Sequence, residues 1–424
     1  MLFADAHRKA ARAGCLSFER RMACFCAVWS ATSLTVGCAV AADTSLKQRL
    51  ASAVVLQEFN TEGAFVQQSQ VAQNLIVLQL RKPDSTIVVG YNLNGKQRFR
   101  LNLGDASCWL GQMRLSEDGS TLVIPEAVGP EYWDHKVFDS KGTLRFRVDQ
   151  SATLLPSPTG EYFCNLFDEI SSERPTIYDK RGKTIREFEY PWYAWNAHFL
   201  DDEHLIIADR DTAWFVATAS GEVTRTVLLN HGIRNTHVQA GMYGPPAIRV
   251  SRPHSCIALY GEDYSNLLSL SGNVLSDHWF GGSSPMAFDD SAPWIAFVSG
   301  SPGESGEIWV VSVTDPEQTV GTPPMKSLAG WYQRDFKIIS FSQNMITIWQ
   351  PSPAVVEDLE PEKEYSTLFM EFNPDSLSLS QPVIMPGLYW PLENQRGQMT
   401  FLRIQPVSSV ALIAIPEKNN KAKH

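Results

Sequence analysis

Residues able to do chemistry are plentiful in this chain, but their spacing matches no catalytic motif. Four histidines, His198, His204, His231 and His237, fall within forty residues, and His254 follows. Imidazoles gathered from different parts of a fold can hold a transition metal. No His-x-x-x-His or similar local spacing occurs, so neither a metal site nor a cofactor is expected. Glu131 and Asp134 are the type of carboxylate pair that glycoside hydrolysis needs across a scissile bond. With 46 Asp and Glu in the chain, choosing any one pair discriminates little. There is no Gly-x-Ser-x-Gly elbow, phosphate-binding loop or dinucleotide fingerprint. No catalytic residue is assigned, and binding is expected ahead of catalysis.

Aromatic residues give a clearer signal. Trp109, Trp133, Trp192, Trp195, Tyr243, Trp331 and Trp390 fall in, or at the margins of, the longest stretches between strands. Such side chains offer broad apolar contact plus one polar tip, which suits sugar rings and peptide segments. These seven are the candidate ligand-binding residues, although any single Trp can equally fill a gap in a core. Acids gather in the same stretches. The run Glu357, Asp358, Glu360, Glu362, Glu364 reads most simply as a solvated loop.

Charge and cysteine usage narrow the partners. The net charge is −10, with only 19% charged residues, so nucleic acid is not an expected partner. Residues 1–41 carry Arg8, Lys9, Arg12, Arg20 and Arg21, then an uncharged stretch ending in Ala39-Val40-Ala41. That order describes a cleaved signal peptide and a periplasmic or secreted product. Leu34-Thr35-Val36-Gly37-Cys38 is a weaker match to a lipid-attachment motif. Cleavage removes five basic and two acidic groups and takes the net charge from −10 to −13. No later stretch is long and apolar enough to insert in a membrane. Four of the seven cysteines leave with the leader, and Cys108, Cys164 and Cys256 remain. Three thiols make no disulfide framework; apolar neighbours mark them as small core residues, with one Cys108–Cys164 bridge left open.

The elements that must position all of this are short strands. From residue 60 a unit recurs: an alternating strand and turn, a more apolar strand, a variable loop, a third strand, a Gly turn and a fourth strand. Met113–Gly119, Thr121–Ile124, His135–Gly142 and Thr143–Val148 make one copy. The Gly turn returns at Gly95, Gly142, Gly182, Gly221 and Gly272, at intervals close to forty or fifty residues. A four-strand unit of that period is the mark of a β-propeller blade. A single such sheet has two apolar faces and buries both only by stacking on neighbours. The second strands should then be apolar throughout, as Leu122–Ile124, Leu205–Ile207, Ile257–Leu259 and Ile295–Val298 are.

Met286–Ser299 with Gly306–Asp315, and the strand turn Ser157-Pro-Thr-Gly160, resemble blades of the TolB-type or WD-repeat-like propellers of exported bacterial proteins. The likeness spans roughly residues 60–385 and implies fold alone. Thr159 replaces the usual Asp, and the Gly-His pair of true WD repeats is missing. The expectation is an all-β chain forming a single propeller over residues 42–416, followed by a disordered basic tail, 417–424. It has seven four-stranded blades, or eight if residues 53–59, 400–404 and 410–415 form one more. Both kinds of tight turn should lie on one face. The long loops, including Asn230–Pro246, Gln350–Tyr365 and Met385–Gln398, should lie on the other. That face would bind a protein, peptide or glycan, the chain acting as a monomer or as part of an exported complex. The alternative is a carbohydrate-active hydrolase or lyase with its site at the axis mouth.

Overall fold

The structure, a computed structural model, describes residues 46–104, 113–127, 133–151, 153–166, 175–188, 196–208, 212–229, 248–260, 265–276, 286–288, 294–300, 306–315, 318–323, 337–342, 345–350, 365–373, 376–392, 399–405 and 409–415. They form eight antiparallel sheets, each meandering outward from its first strand. Blade 1 runs from Phe65 to Asn102, blade 2 from Arg114 to Ser151, and blade 3 from Thr153 to Glu187. Blades 4, 5 and 6 run from Asn196 to Leu228, Ile248 to Ser276, and Met286 to Gly321. Blade 7 starts at Lys337, and its fourth position is split, because Ser378–Leu379 and Val383–Pro386 both pair with Ser366–Asn373.

The count of seven or eight resolves to eight. Leu388–Pro391, Met399–Gln405 and Ser409–Ile415 supply three strands of blade 8, and Val54–Phe59 pairs with Ser409–Ile415 as the fourth. A strand from early in the chain therefore completes the last sheet and removes two free edges at once. A helical turn at 46–51 precedes it and sets Leu46 and Leu50 into the seam between blades 7 and 8. Among the described residues no helix is long and apolar enough to cross a membrane.

Burial explains the stacking. Leu122, Val123 and Ile124, Leu205 to Ile207, and Ile257 to Leu259 are all at most 4% exposed, so both faces of each sheet are covered. Successive apolar clusters bridge neighbours around the ring. Val77 and Val88 of blade 1 meet Leu122 and Ile124 of blade 2. Ile76 and Val89, on the opposite face of blade 1, meet Leu402 and Leu412 of blade 8. Cys164 and Cys256 sit in two of these seams, fully buried and unbridged. Burial pushes both thiols up to about 12, which leaves no reactive thiolate.

Local chemistry sets the tight turns. Gly95, Gly142, Gly182, Gly221 and Gly272 all have positive φ, between 67° and 81°. Register shifts just before these turns recur in blades 1 to 5, the bulge expected where a left-handed glycine ends a short hairpin loop. In blades 1, 2, 3 and 5 one side chain closes the loop from inside. Asp139 Oδ1 accepts from the N–H groups of Lys141 (2.8 Å) and Thr143 (2.9 Å). Asp179 does the same for Arg181 and Lys183, and Asn92 and Ser269 take that role in blades 1 and 5.

The turn between the first two strands of blade 3 is tighter still. Gly160 has φ +67°, and an added Cβ would sit 2.1 Å from Thr121 Oγ1 of blade 2. Gly160→Ala is therefore expected to cost about 2 kcal/mol from the left-handed backbone and the displaced threonine. Urea unfolding of the variant checks this through a lower midpoint at unchanged slope.

Candidate functional site

Each blade meanders, so its first and third connections leave from one face of the disc, and its second connection and the link to the next blade leave from the other. The strand ends joined by the longest connections, Leu228 to Ile248, Gly321 to Lys337 and Gln350 to Ser366, all belong to the second face. Of the seven aromatic candidates, Trp109, Trp192, Trp195, Tyr243 and Trp331 lie outside the described residues. Trp133 opens the third strand of blade 2, at the margin of this face, and is 9% exposed. Trp390 sits within the first strand of blade 8 and packs against the core shared with blade 1. The stretch Met385–Gln398 is thus not one loop: it holds the end of blade 7, the link at Gly387 and the inner strand Leu388–Pro391. Asp134 also lies in a strand, opposite Glu126, and Glu131 lies outside the described residues.

The link from blade 8 to blade 1, residues 60–64, belongs to the same face. Glu62 adopts a positive φ of 54°, its N–H donating to Asn60 Oδ1 at 2.8 Å. Its carboxylate accepts from Lys82 (2.7 Å) and Arg100 (3.3 Å), which hold it below the usual carboxylate range against a small opposing effect of burial. This cluster fastens the seam where the ring closes.

The tight-turn face is more organised than its short connections suggest. Ser120 Oγ of blade 2 donates to the Thr159 carbonyl of blade 3 at 2.7 Å. Ser157 Oγ and Thr159 Oγ1 of blade 3 donate to Asp202 of blade 4 at 2.6 and 2.8 Å, joined by the Thr159 N–H at 3.1 Å. Burial pushes the Asp202 carboxyl up, but these donors, with Arg252 beyond, outweigh it and hold the carboxyl below its ordinary value. Arg252 of blade 5 donates from Nε to the Leu200 carbonyl of blade 4 at 2.7 Å. Its two terminal nitrogens donate to both oxygens of Glu117, in the first turn of blade 2. A collar thus runs from blade 2 to blade 5, and the fork-to-fork Glu117–Arg252 pair closes it as a chord over the axis.

Below that chord the first strands bring basic groups together. Arg114 opens the first strand of blade 2, His198 is third in that of blade 4, and Arg249 is second in that of blade 5. His198 is half-buried, as a lining residue would be. Desolvation, then the charges of Arg249, Arg252 and Arg114, lower it to about 4, so its ring is neutral at pH 7. His135, in the third strand of blade 2, is 2% exposed. Burial and Arg114 push it down to about 3.

The other histidines fall elsewhere. His204 is exposed and pairs with Asp201 at 3.0 Å, His254 lies in the first turn of blade 5, and His231 and His237 lie outside the described residues. Among the described residues no three His, Cys, Asp or Glu side chains converge as metal ligands. Spacing along the chain did not reveal this arginine and histidine grouping, because its members come from three blades. The only signal was the appearance of a basic or imidazole side chain near the ends of several first strands.

Comparison with solved structures bears on the fold. The C-terminal WD40 domain of Sif2 is similar with a TM-score of 0.50 at 10% identity, covering 84% of this chain and 99% of that domain. Hsv2 of Kluyveromyces lactis gives 0.48 at 12% identity, covering 76% and 98%. No family model matches the chain, and no curated protein matches it. The chain has a WD40-type β-propeller fold with eight blades.

Proposed function

We propose that this propeller is a non-enzymatic binding scaffold that holds a protein, peptide or glycan partner on its long-connection face. The observation that carries the reading is the asymmetry of the disc. The longest connections all join strand ends on one face, while the turns of the other are closed by their own side chains. Recognition commonly resides in long connections carried on a rigid frame. Tyr243 and Trp331 belong to those connections, and Trp109, Trp192 and Trp195 to shorter blade-to-blade links on the same side; all five are the contact residues in this reading, with Trp133 at their margin. Trp390 supports the frame from the inner strand of blade 8. The fold is one that WD40 proteins use, which agrees with a scaffold role. The basic segment followed by an uncharged one at residues 1–41 supports export to the periplasm or beyond the cell.

The test is comparative co-purification from the source organism's envelope fraction, using the wild type and a Trp192→Ala/Trp195→Ala variant of equal thermal stability. A partner retained by the wild type is expected to be lost from the variant. Identical sets of bound molecules for both proteins would refute the reading.

A further inference from the structure

We propose that the axial opening on the tight-turn face, beneath the Glu117–Arg252 chord, binds an oxyanion group, phosphate or carboxylate, through Arg249, Arg114 and His198. This is independent of the partner reading above, which concerns the opposite face.

Three observations converge. First, the inner strands of blades 2, 4 and 5 and the turn after the last of these contribute three guanidinium groups around one imidazole. In a chain of net charge −10 this is a local concentration of positive charge, which attracts an anion. Second, the groups are not all satisfied. Arg249 makes one long contact, 3.4 Å to the carbonyl of Ile248 in its own strand, and no carboxylate pairs with it among the described residues. His198 has no hydrogen bond to its ring among the described residues, so a neutral N–H remains for an acceptor. Third, the opening already holds one carboxylate. Glu117 reaches Arg252 across a sequence separation of 135 residues with both its oxygens, in the fork geometry an external oxyanion would use. Glu117 therefore acts as a resident acid that covers the opening and competes with a ligand for Arg252.

The nearby acids do not cancel this grouping. Asp202 is committed to Ser157 and Thr159, and Asp201 to His204 and its own turn. An oxyanion seated among the arginines would also favour the charged imidazole, so binding should move the His198 titration upward from about 4.

The experiment follows the histidine ring signals of the full chain by NMR, with His198→Gln used for assignment. Inorganic phosphate and acetate are titrated separately against chloride at constant ionic strength. A saturable shift of His198 is expected with at least one of them, and the stronger arm identifies phosphate or carboxylate as the preferred group. Arg249→Gln should weaken that binding by about tenfold or more. Arg249→Lys should retain part of it, because charge survives while the planar fork is lost. Glu117→Gln should strengthen it by releasing Arg252. No saturable His198 shift with either anion in the wild type would overturn the proposal whatever the variants do. So would equal affinity in wild type and Arg249→Gln, or weaker binding in Glu117→Gln.

Discussion

Replacing Phe369 with alanine is expected to destabilise the propeller by about 4 kcal/mol, the usual scale for emptying a closed aromatic site. Phe369 lies in the third strand of blade 7 and is completely buried. It meets Tyr389 and Phe401 of blade 8 edge-on, at centroid distances of 5.3 and 5.5 Å. Leu46 and Leu50 of the helical turn cover the same cluster. The seam cannot easily collapse, since its walls are two paired sheets, so the cavity would stay open and its lining would lose contacts. Phe369→Leu, which refills most of the volume, should recover a large part of the loss. Chemical unfolding of the two variants measures both, and a loss under about 1 kcal/mol for the alanine variant would show that the blade 7–8 seam is not closed as described.

Acidification should weaken the fold earlier than carboxylate protonation alone would make it. His135 and His198 have folded pKa values near 3 and 4, against 6.5 when free. The unfolded chain therefore binds more protons than the folded one between about pH 6.5 and these lower values, and stability falls as pH drops through that window. From pH 7 to 5 each histidine should remove about 2 kcal/mol, or about 4 together. Depressed carboxylates such as Glu62, Asp139 and Asp202 work in the same direction, but only from the ordinary carboxylate range downward. Urea unfolding at pH 7, 6 and 5 separates the two, because His135→Gln and His198→Gln should each flatten the curve above pH 5. A stability unchanged between pH 7 and 5 in the wild type would contradict the lowered titration of both rings.

The sequence carried the ring readily and its axis hardly at all. Apolar second strands such as Leu205–Ile207 and the recurring glycine turns are local signals, since each states a burial or a backbone angle within a few residues. Blade 8 was harder, because its strands come from sequence far apart, Val54–Phe59 and Leu388–Ile415, and pair only after closure. Trp390 read as a loop aromatic in Met385–Gln398, yet Leu388–Pro391 is a short inner strand. The tight-turn face looked featureless for a physical reason. Its organisation lies in contacts such as Ser157 with Asp202 and Glu117 with Arg252, which depend on how blades are spaced around a circle. Nothing in the local pattern of either residue encodes that spacing.

The pairing of Val54–Phe59 with Ser409–Ile415 also governs how the chain is made. Synthesis is vectorial, so Val54, Val55 and Leu56 emerge from the ribosome long before their hydrogen-bonding neighbours exist. Throughout that interval they form an apolar, β-prone tract with no mate, a site for holdase capture or for aberrant association between nascent copies. Even when mated, these three side chains are 44–55% exposed. Ser409–Ile415 are therefore the residues that commit the molecule, and interruption just before Ser409 would leave a long polypeptide with an open circle.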